Sequence, residues 1–232
     1  MKTKDVMKKL IAPVAVIAGL ALTASPAYAD TTKLDAAKKV VIARIDGRLA
    51  ALKAHSVTVQ NAKHLSSSHK TTLAGLISAD QSGLSALRTK VTGETTLAAV
   101  KADDQHMVQD FRIYMLVGPK VRLTVAADAE SAAIAELQKA ADALAKAIAA
   151  AKQAGKDTTT AEAALADLNA KVAAAQAAVA GQADKLLAIP PGPDADAITG
   201  QVKAVREAVK TAGQDLHKAV ADAKAARGQV RG

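Results

Sequence analysis

The sequence predicts an all-α protein built as two antiparallel three-helix bundles that share one long helix. Alanine makes up about a quarter of the 232 residues, whereas aromatic residues make up 1%. Alanine has the highest helix propensity and little side chain to bury, so this composition favours narrow, closely packed helices. Apolar residues recur at alternating steps of three and four, as in helices that pack on one another. No alternating run of β-branched residues is long enough to indicate a strand.

The first 29 residues are predicted to be a secretory signal peptide. Four lysines precede an apolar run at 10–22, and Ala27 and Ala29 form the A-x-A pattern of a signal-cleavage site. The apolar run is short for a bilayer span. We therefore expect a mature chain that starts at Asp30, has no membrane span, and lies outside the cell or at the periphery of the cell envelope.

Three helices are predicted for an N-terminal domain, residues 30–118. Each has one apolar stripe, and polar N-caps or a glycine mark the ends. Counting residues from the two turns places Phe111, the only phenylalanine, level with Gly75. We therefore expect the large ring to pack against a residue without a side chain. The first helix runs from about Thr32 to Lys63, the second from the turn at 66–68 to Gly93, and the third begins at Thr95 or Thr96.

The third helix is predicted to continue through Gly118 and Pro119 into the second domain. A proline inside a helix removes a hydrogen bond and clashes with the preceding turn, at a cost of about 3 kcal/mol. Such a site is usually a kink or a break. Apolar residues continue on both sides of it, so we expect one long helix kinked at Pro119. A single longer bundle, with the chain reversing at Gly118-Pro119, is the alternative.

The C-terminal domain, residues 119–232, is predicted to hold the rest of the shared helix and two further helices. Glycine and proline mark the ends of these helices, because glycine is typical of C-caps and proline stops a helix. The shared helix reaches about Ala154, the next helix runs from 157–160 to the proline-rich segment at 189–193, and the last runs from about Asp194 to Arg227.

A polar layer is predicted within the first bundle. Asp80 and Asp104 occupy stripe positions where an apolar residue is expected, and Arg48, His55 and His106 fall within roughly one turn of them. A buried carboxylate must be paired or hydrated, because burying it alone is very costly. Single polar residues fix the register of coiled coils in this way. The alternatives are a pocket for a small ligand or metal, and a stripe that opens to water.

The sequence indicates a protein that is not an enzyme and has no cofactor. Catalysis needs a cleft with a positioned nucleophile or water. The chain has no cysteine, no nucleophile elbow, no zinc-protease motif and no phosphate-binding glycine loop. His55, His64 and His69 are close in sequence but lack metal-ligand spacing, so we expect solvated surface histidines and no metal site.

Basic residues are concentrated in the first half of the predicted mature chain. Residues 30–120 carry 13 Lys and Arg against 8 Asp and Glu, whereas residues 121–232 carry 14 against 13. Attraction to a polyanion would therefore come mainly from the first half. The candidate anion-binding residues are Arg44, Lys53, Lys63, Lys70 and Arg112.

Two segments, RIDGRLAAL at 44–52 and DFRIYMLVGPKVRLTVAAD at 110–128, resemble an uncharacterised family of alanine-rich secreted helical proteins of actinobacteria. The resemblance covers about the first half of the mature chain. It implies secretion and a helical fold, and it implies no activity or catalytic residue. Joined three-helix bundles also resemble spectrin-like repeats in architecture, which says nothing of function.

We therefore expect an exported, non-enzymatic helical protein that acts as an interaction or spacer module at or outside the cell envelope. Its partner would be another protein or an envelope polymer. One alternative is weak binding of wall polymer or nucleic acid through the basic half, and another is a small-ligand or metal carrier that uses Asp80 and Asp104. Thin alanine stripes often need a second chain to bury enough area, so a homo-oligomer is compatible with the sequence.

Overall fold

A computed structural model describes the backbone of residues 26–231 and the side chains of residues 30–229. Every regular element in this part of the chain is helical, which confirms the all-α prediction. The predicted signal peptide lies outside the described residues, except that Ala27 and Ala29 belong to the first turn of the first helix. No helix within residues 26–231 is long and apolar enough to cross a membrane.

Side chains cap the first turns of the second and third helices. The predicted N-caps are confirmed, because Ser66 Oγ accepts a hydrogen bond from the His69 N–H and Thr96 Oγ1 accepts one from the Ala99 N–H. The elements are α1 (Pro26–Asn61), α2 (Ser67–Gly93), α3 (Leu97–Phe111), a π-helical turn (Ile113–Val117), α4 (Gly118–Gln153), α5 (Thr159–Val179), α6 (Gln182–Leu187) and α7 (Ala195–Arg231).

The helices bury two apolar clusters. In the first cluster α1, α2 and α3 contribute fully buried residues such as Leu52, Leu84 and Met107. In the second cluster α4, α5, α6 and α7 contribute residues such as Leu168 and Ala212. The π-helical turn and the start of α4 serve both clusters, since Leu116 belongs to the second whereas Val117 and Val121 belong to the first.

The predicted position of the helix interruption is wrong. The chain leaves the α-helix at Arg112, whose φ of 45° is left-handed, and Pro119 lies in the first turn of α4. The helical residues 113–117 precede Pro119 without a break, so the proline removes one backbone hydrogen bond to the preceding turn. Between Arg112 and Pro119 the helix widens, and the Gly118 N–H donates to the Ile113 carbonyl. The wider turn gives the proline ring room that a regular turn would not.

The predicted helix between 157–160 and the proline-rich segment is also divided. It ends at Val179, and Gly181, with a φ of 66°, turns the chain into the short α6. Glycine adopts this left-handed conformation without a steric penalty. The proline-rich segment that follows joins α6 to α7. It passes beside the start of α4, where Lys120 binds the carbonyls of Leu187 and Ile189.

Candidate functional site

The residues of the predicted polar layer are distributed over several separate contacts. Asp104 forms an ion pair with Arg44 in which both side chains are partly exposed. The carboxylate that α3 buries is Asp103, with 2% of its side chain exposed, and it pairs with Lys90. His106 is exposed and lies 3.2 Å from Asp110 on the same helix. The buried stripe of α3 thus passes through Asp103, one position before the predicted Asp104.

Arg48 and His55 lie on α1 where it faces the π-helical turn. The Arg48 guanidinium is buried, stands 5.3 Å from the centre of the Tyr114 ring, and donates a hydrogen bond to the Arg44 carbonyl. His55 packs against Gly118, where an added Cβ would lie 3.3 Å from its Nε2. Burial lowers the pKa of His55, and the charge of Arg122 lowers it further, so the ring is neutral at pH 7.

Asp80 is attracted to Lys120, a buried lysine that the sequence pattern did not predict. Lys120 is only 3% exposed, and its ammonium donates to the carbonyls of Leu187 at 2.9 Å and Ile189 at 2.6 Å. Burial raises the pKa of Asp80 to about 6 against the opposing attraction of Lys120, and one carboxylate oxygen is buried without a hydrogen-bond partner in the described part of the chain. The sequence signal was a lysine directly before Val121, inside an apolar run.

Arg112 holds the same connecting segment from its other end. Its Nε donates to the Gly192 carbonyl and its Nη2 to the Pro193 carbonyl, both at 2.8 Å, and the side chain is buried. We call Arg112, Lys120 and the carbonyls of 187–193 the junction. Charged donors form stronger hydrogen bonds than neutral ones, so the junction fixes the α6–α7 connection against the start of α4. An anion at Arg112 would have to displace these carbonyls.

His69 forms a second polar link across the same region. Its Nδ1 lies 2.9 Å from both carboxylate oxygens of Asp128 on α4, and its Nε2 lies 3.1 Å from Asp184 on α6. The Ser66 N–H also donates to Asp128. Burial lowers the pKa of His69, but the hydrogen bonds and charges of the two aspartates outweigh it, and the net shift is upward. The expectation of a solvated histidine is wrong here, because sequence spacing gave no sign of these partners.

The remaining anion-binding candidates lie on the surface of the first half. Lys53 and Lys63 are exposed. The Lys70 ammonium donates to the Gln60 carbonyl near the end of α1, and Arg44 is paired with Asp104. No group of three or more His, Cys, Asp or Glu residues in the described part of the chain is arranged to hold a metal ion.

An apolar groove runs between α4 and α7, on the surface of the second half. It consists of two open hollows of about 480 and 540 Å³ that share Leu137 and Val220. Six of its sixteen lining residues are alanine and one is glycine, so these helix positions carry little side chain to fill the groove. Its α4 residues include Ala129, Glu130, Ala133, Glu136, Ala140, Ala143, Leu144 and Ala147, and its α7 residues include Gly213, Leu216, His217, Ala223, Lys224 and Arg227.

Comparison of the chain with family models, with curated proteins and with solved structures finds no match. The resemblance to alanine-rich secreted proteins of actinobacteria therefore stays a prediction. The buried cations of the junction, the His69 link and the α4–α7 groove are the features from which a function can be inferred.

Proposed function

We propose that this protein is an exported, non-enzymatic helical interaction or spacer protein of the cell envelope or the extracellular space. The observation that carries the proposal is the junction, where Lys120 and Arg112 are buried and donate to main-chain carbonyls of the connecting segment. A spacer must hold its two ends in a fixed relation. The Arg112 contacts attach the end of the first half to the α6–α7 connection of the second half, and the Lys120 contacts fix that connection against α4.

The proposal includes two antiparallel three-helix bundles, one made of α1, α2 and α3 and the other of α4, α5 and α7. Two apolar clusters support this arrangement, as does the mutual packing of the three helices within each group. We place the boundary at residues 118–119, where α4 begins. The π-helical turn then joins the bundles as a wide but continuous helical segment, in place of a flexible linker.

The stiffness of the joint can be measured directly, because the chain has no cysteine and accepts site-specific spin labels. Labels at the exposed positions Ala79→Cys and Ala170→Cys would report the distance between the two halves. We expect a narrow distance distribution for the parent chain and a broader one for Arg112→Met, because Arg112 of the first half binds the α6–α7 connection of the second half. Lys146→Met, at an exposed position of α4, is the matched control and should leave the distribution narrow. A broad distribution in the parent would contradict the spacer proposal.

Export is tested by the mass of the protein recovered from a secreting host. We expect a mature chain that begins at Asp30, since Ala27 and Ala29 supply the small residues that signal peptidase requires. Replacing both alanines with leucine should block processing. Recovery of the unprocessed chain from the cytoplasm, with no product outside the inner membrane, would contradict export.

A second candidate function is weak binding of an anionic polymer by the first half. Lys53 and Lys63 are exposed there, in the segment that carries the excess of basic residues. Binding through lysine and polyanion charges falls steeply with salt, because counterions are released. Affinity for a wall polymer or nucleic acid that is independent of salt, or unchanged by Lys53→Gln with Lys63→Gln, would exclude this function.

A further inference from the structure

The α4–α7 groove leaves apolar surface open along two helices that run in the same direction. Glu130 of α4 lies beside Gly213 of α7, and further along, Ala147 and Arg227 line the same hollow. Leu137 and Val220 are at the middle, where the two hollows meet. Val220 is 39% exposed, although burying a valine side chain is energetically favourable. Two such apolar faces can pack on each other, because each then buries the open surface of the other.

The two ends of the groove carry opposite charges. Glu130 lines one end, and Lys224 and Arg227 line the other. Glu136 lies beside Leu137 near the middle and pairs with Lys139. The Glu130 side chain crosses the groove, so that one carboxylate oxygen lies 3.0 Å from where a Cβ of Gly213 would be. Its carboxylate therefore lies at the level of Gly213, seven residues before Val220, whereas Arg227 lies seven residues after it. Each is about 10 Å from the middle of the groove along α7.

Glu130 also lacks a partner within the described residues. One of its carboxylate oxygens is buried without a hydrogen bond, and burial raises the pKa of this residue to about 7. Buried polar atoms nearly always have a hydrogen-bond partner. Gly213 provides the space for the carboxylate because it has no side chain. A cation that approached from above the groove would supply the missing partner of the Glu130 carboxylate.

We propose that a second copy of this chain docks on the α4–α7 groove and forms an antiparallel dimer in which Arg227 of each copy pairs with Glu130 of the other. The two-fold axis lies in the plane between the two copies, is perpendicular to α7 and passes over Val220. It therefore places position 227 of one copy over position 213 of the other. The contact is then self-complementary, as a two-fold interface must be. It buries Leu137 and Val220 of both copies and forms the ion pair twice. This inference goes beyond the proposed function and does not depend on export or on a stiff joint.

Charge reversal tests the dimer, with mass measured by sedimentation equilibrium on the protein in the form in which its host processes it. We expect a dimer that is weakened at least about tenfold by Arg227→Glu and by Glu130→Arg, the size of change typical for one partner of a charge pair. The double variant should regain most of the parent affinity. Arg206→Glu, at an exposed position of the same helix, should leave the affinity unchanged. A monomeric parent, or a double variant as weak as either single one, would overturn the proposal.

A cysteine cross-link gives a second test that depends little on the stability of the charge variants. The two-fold axis brings the Val220 positions of the two copies next to each other, and a disulfide forms only when the two Cα atoms are closer than about 7 Å. Val220→Cys should give a covalent dimer under mild oxidation. Val57→Cys, which is equally accessible on α1 at 50% exposure in the parent, should give little. Equal cross-linking of both variants would overturn the proposed contact.

Discussion

The ring of Phe111 packs against Gly83, where an added Cβ would force the ring to move. A Cβ at Gly83 would lie 2.6 Å from Phe111 Cε1, whereas a Cβ at Gly75 would meet no atom within 4 Å. Gly83→Ala should therefore lower the free energy of unfolding by about 1–3 kcal/mol through overpacking. Gly75→Ala should raise it by about 0.5–1 kcal/mol, because alanine favours the helix. Urea denaturation of both variants measures the difference, and two stabilising substitutions would contradict the packing at Gly83.

The raised pKa of Asp80 makes its contribution to stability dependent on pH. Burial raises this pKa from 3.8 to about 6, so the folded state holds the proton more tightly and loses stability as pH rises through this range. Asp80→Asn should leave stability unchanged at pH 4 and raise it by about 1 kcal/mol at pH 8, a value reduced for partial exposure to solvent. Denaturation at both pH values measures this. Asp142→Asn, at an exposed position of α4, is the control, and an equal change at both pH values would contradict the argument.

At the scale of the elements, the interruption between α3 and α4 is held by the contacts of Arg112 with the α6–α7 connection. Pro119 removes one backbone hydrogen bond, but the π-helical turn before it gives its ring room. Pro119→Ala should therefore keep the fold and change the free energy of unfolding by no more than about 1 kcal/mol. Circular dichroism and urea denaturation test this. A large loss of helix content would mean that the proline itself directs the chain.

Periodicity and capping predicted most helix ends but could not predict the two interruptions. Ser66 and Thr96 act on backbone groups three residues away, so their role is encoded locally. Arg112 adopts a left-handed conformation and its side chain binds carbonyls 80 and 81 residues further along the chain, partners that no local pattern reveals. The candidate site residues also divide into those set by local sequence and those set by distant partners. The exposure of Lys53 and Lys63 is a local property, whereas the partners of Lys120 and His69 come from distant segments.

At the scale of the whole molecule, polar contacts connect the two halves where the apolar clusters are separate. Arg112 of the first half binds the α6–α7 connection of the second half, and His69 links the start of α2 to α4 and α6. Arg112 is buried, and His69 and Asp128 are mostly buried, whereas Asp184 is exposed; solvent and salt weaken the less exposed contacts less than a surface ion pair. The relative position of the halves thus depends on a few charged groups, and the pKa of one of them, His69, is raised by its hydrogen bonds to Asp128 and Asp184 despite burial.

His69 should make the stability of the protein depend on pH with a sign opposite to that of a buried neutral histidine. Its pKa is raised by Asp128 and Asp184 despite burial, so its stabilisation is complete below the unfolded pKa and is lost as pH rises through the folded pKa. His69→Gln should lower the free energy of unfolding by about 1–2 kcal/mol at pH 5.5, the worth of hydrogen bonds to a charged group, and by less at pH 8.5. His106→Gln, which removes an exposed pair on one helix, should change stability by no more than about 0.5 kcal/mol. If His69→Gln lowered the free energy of unfolding equally at both pH values, the charge of the imidazole would not contribute. The two aspartates would then not bind it as a cation.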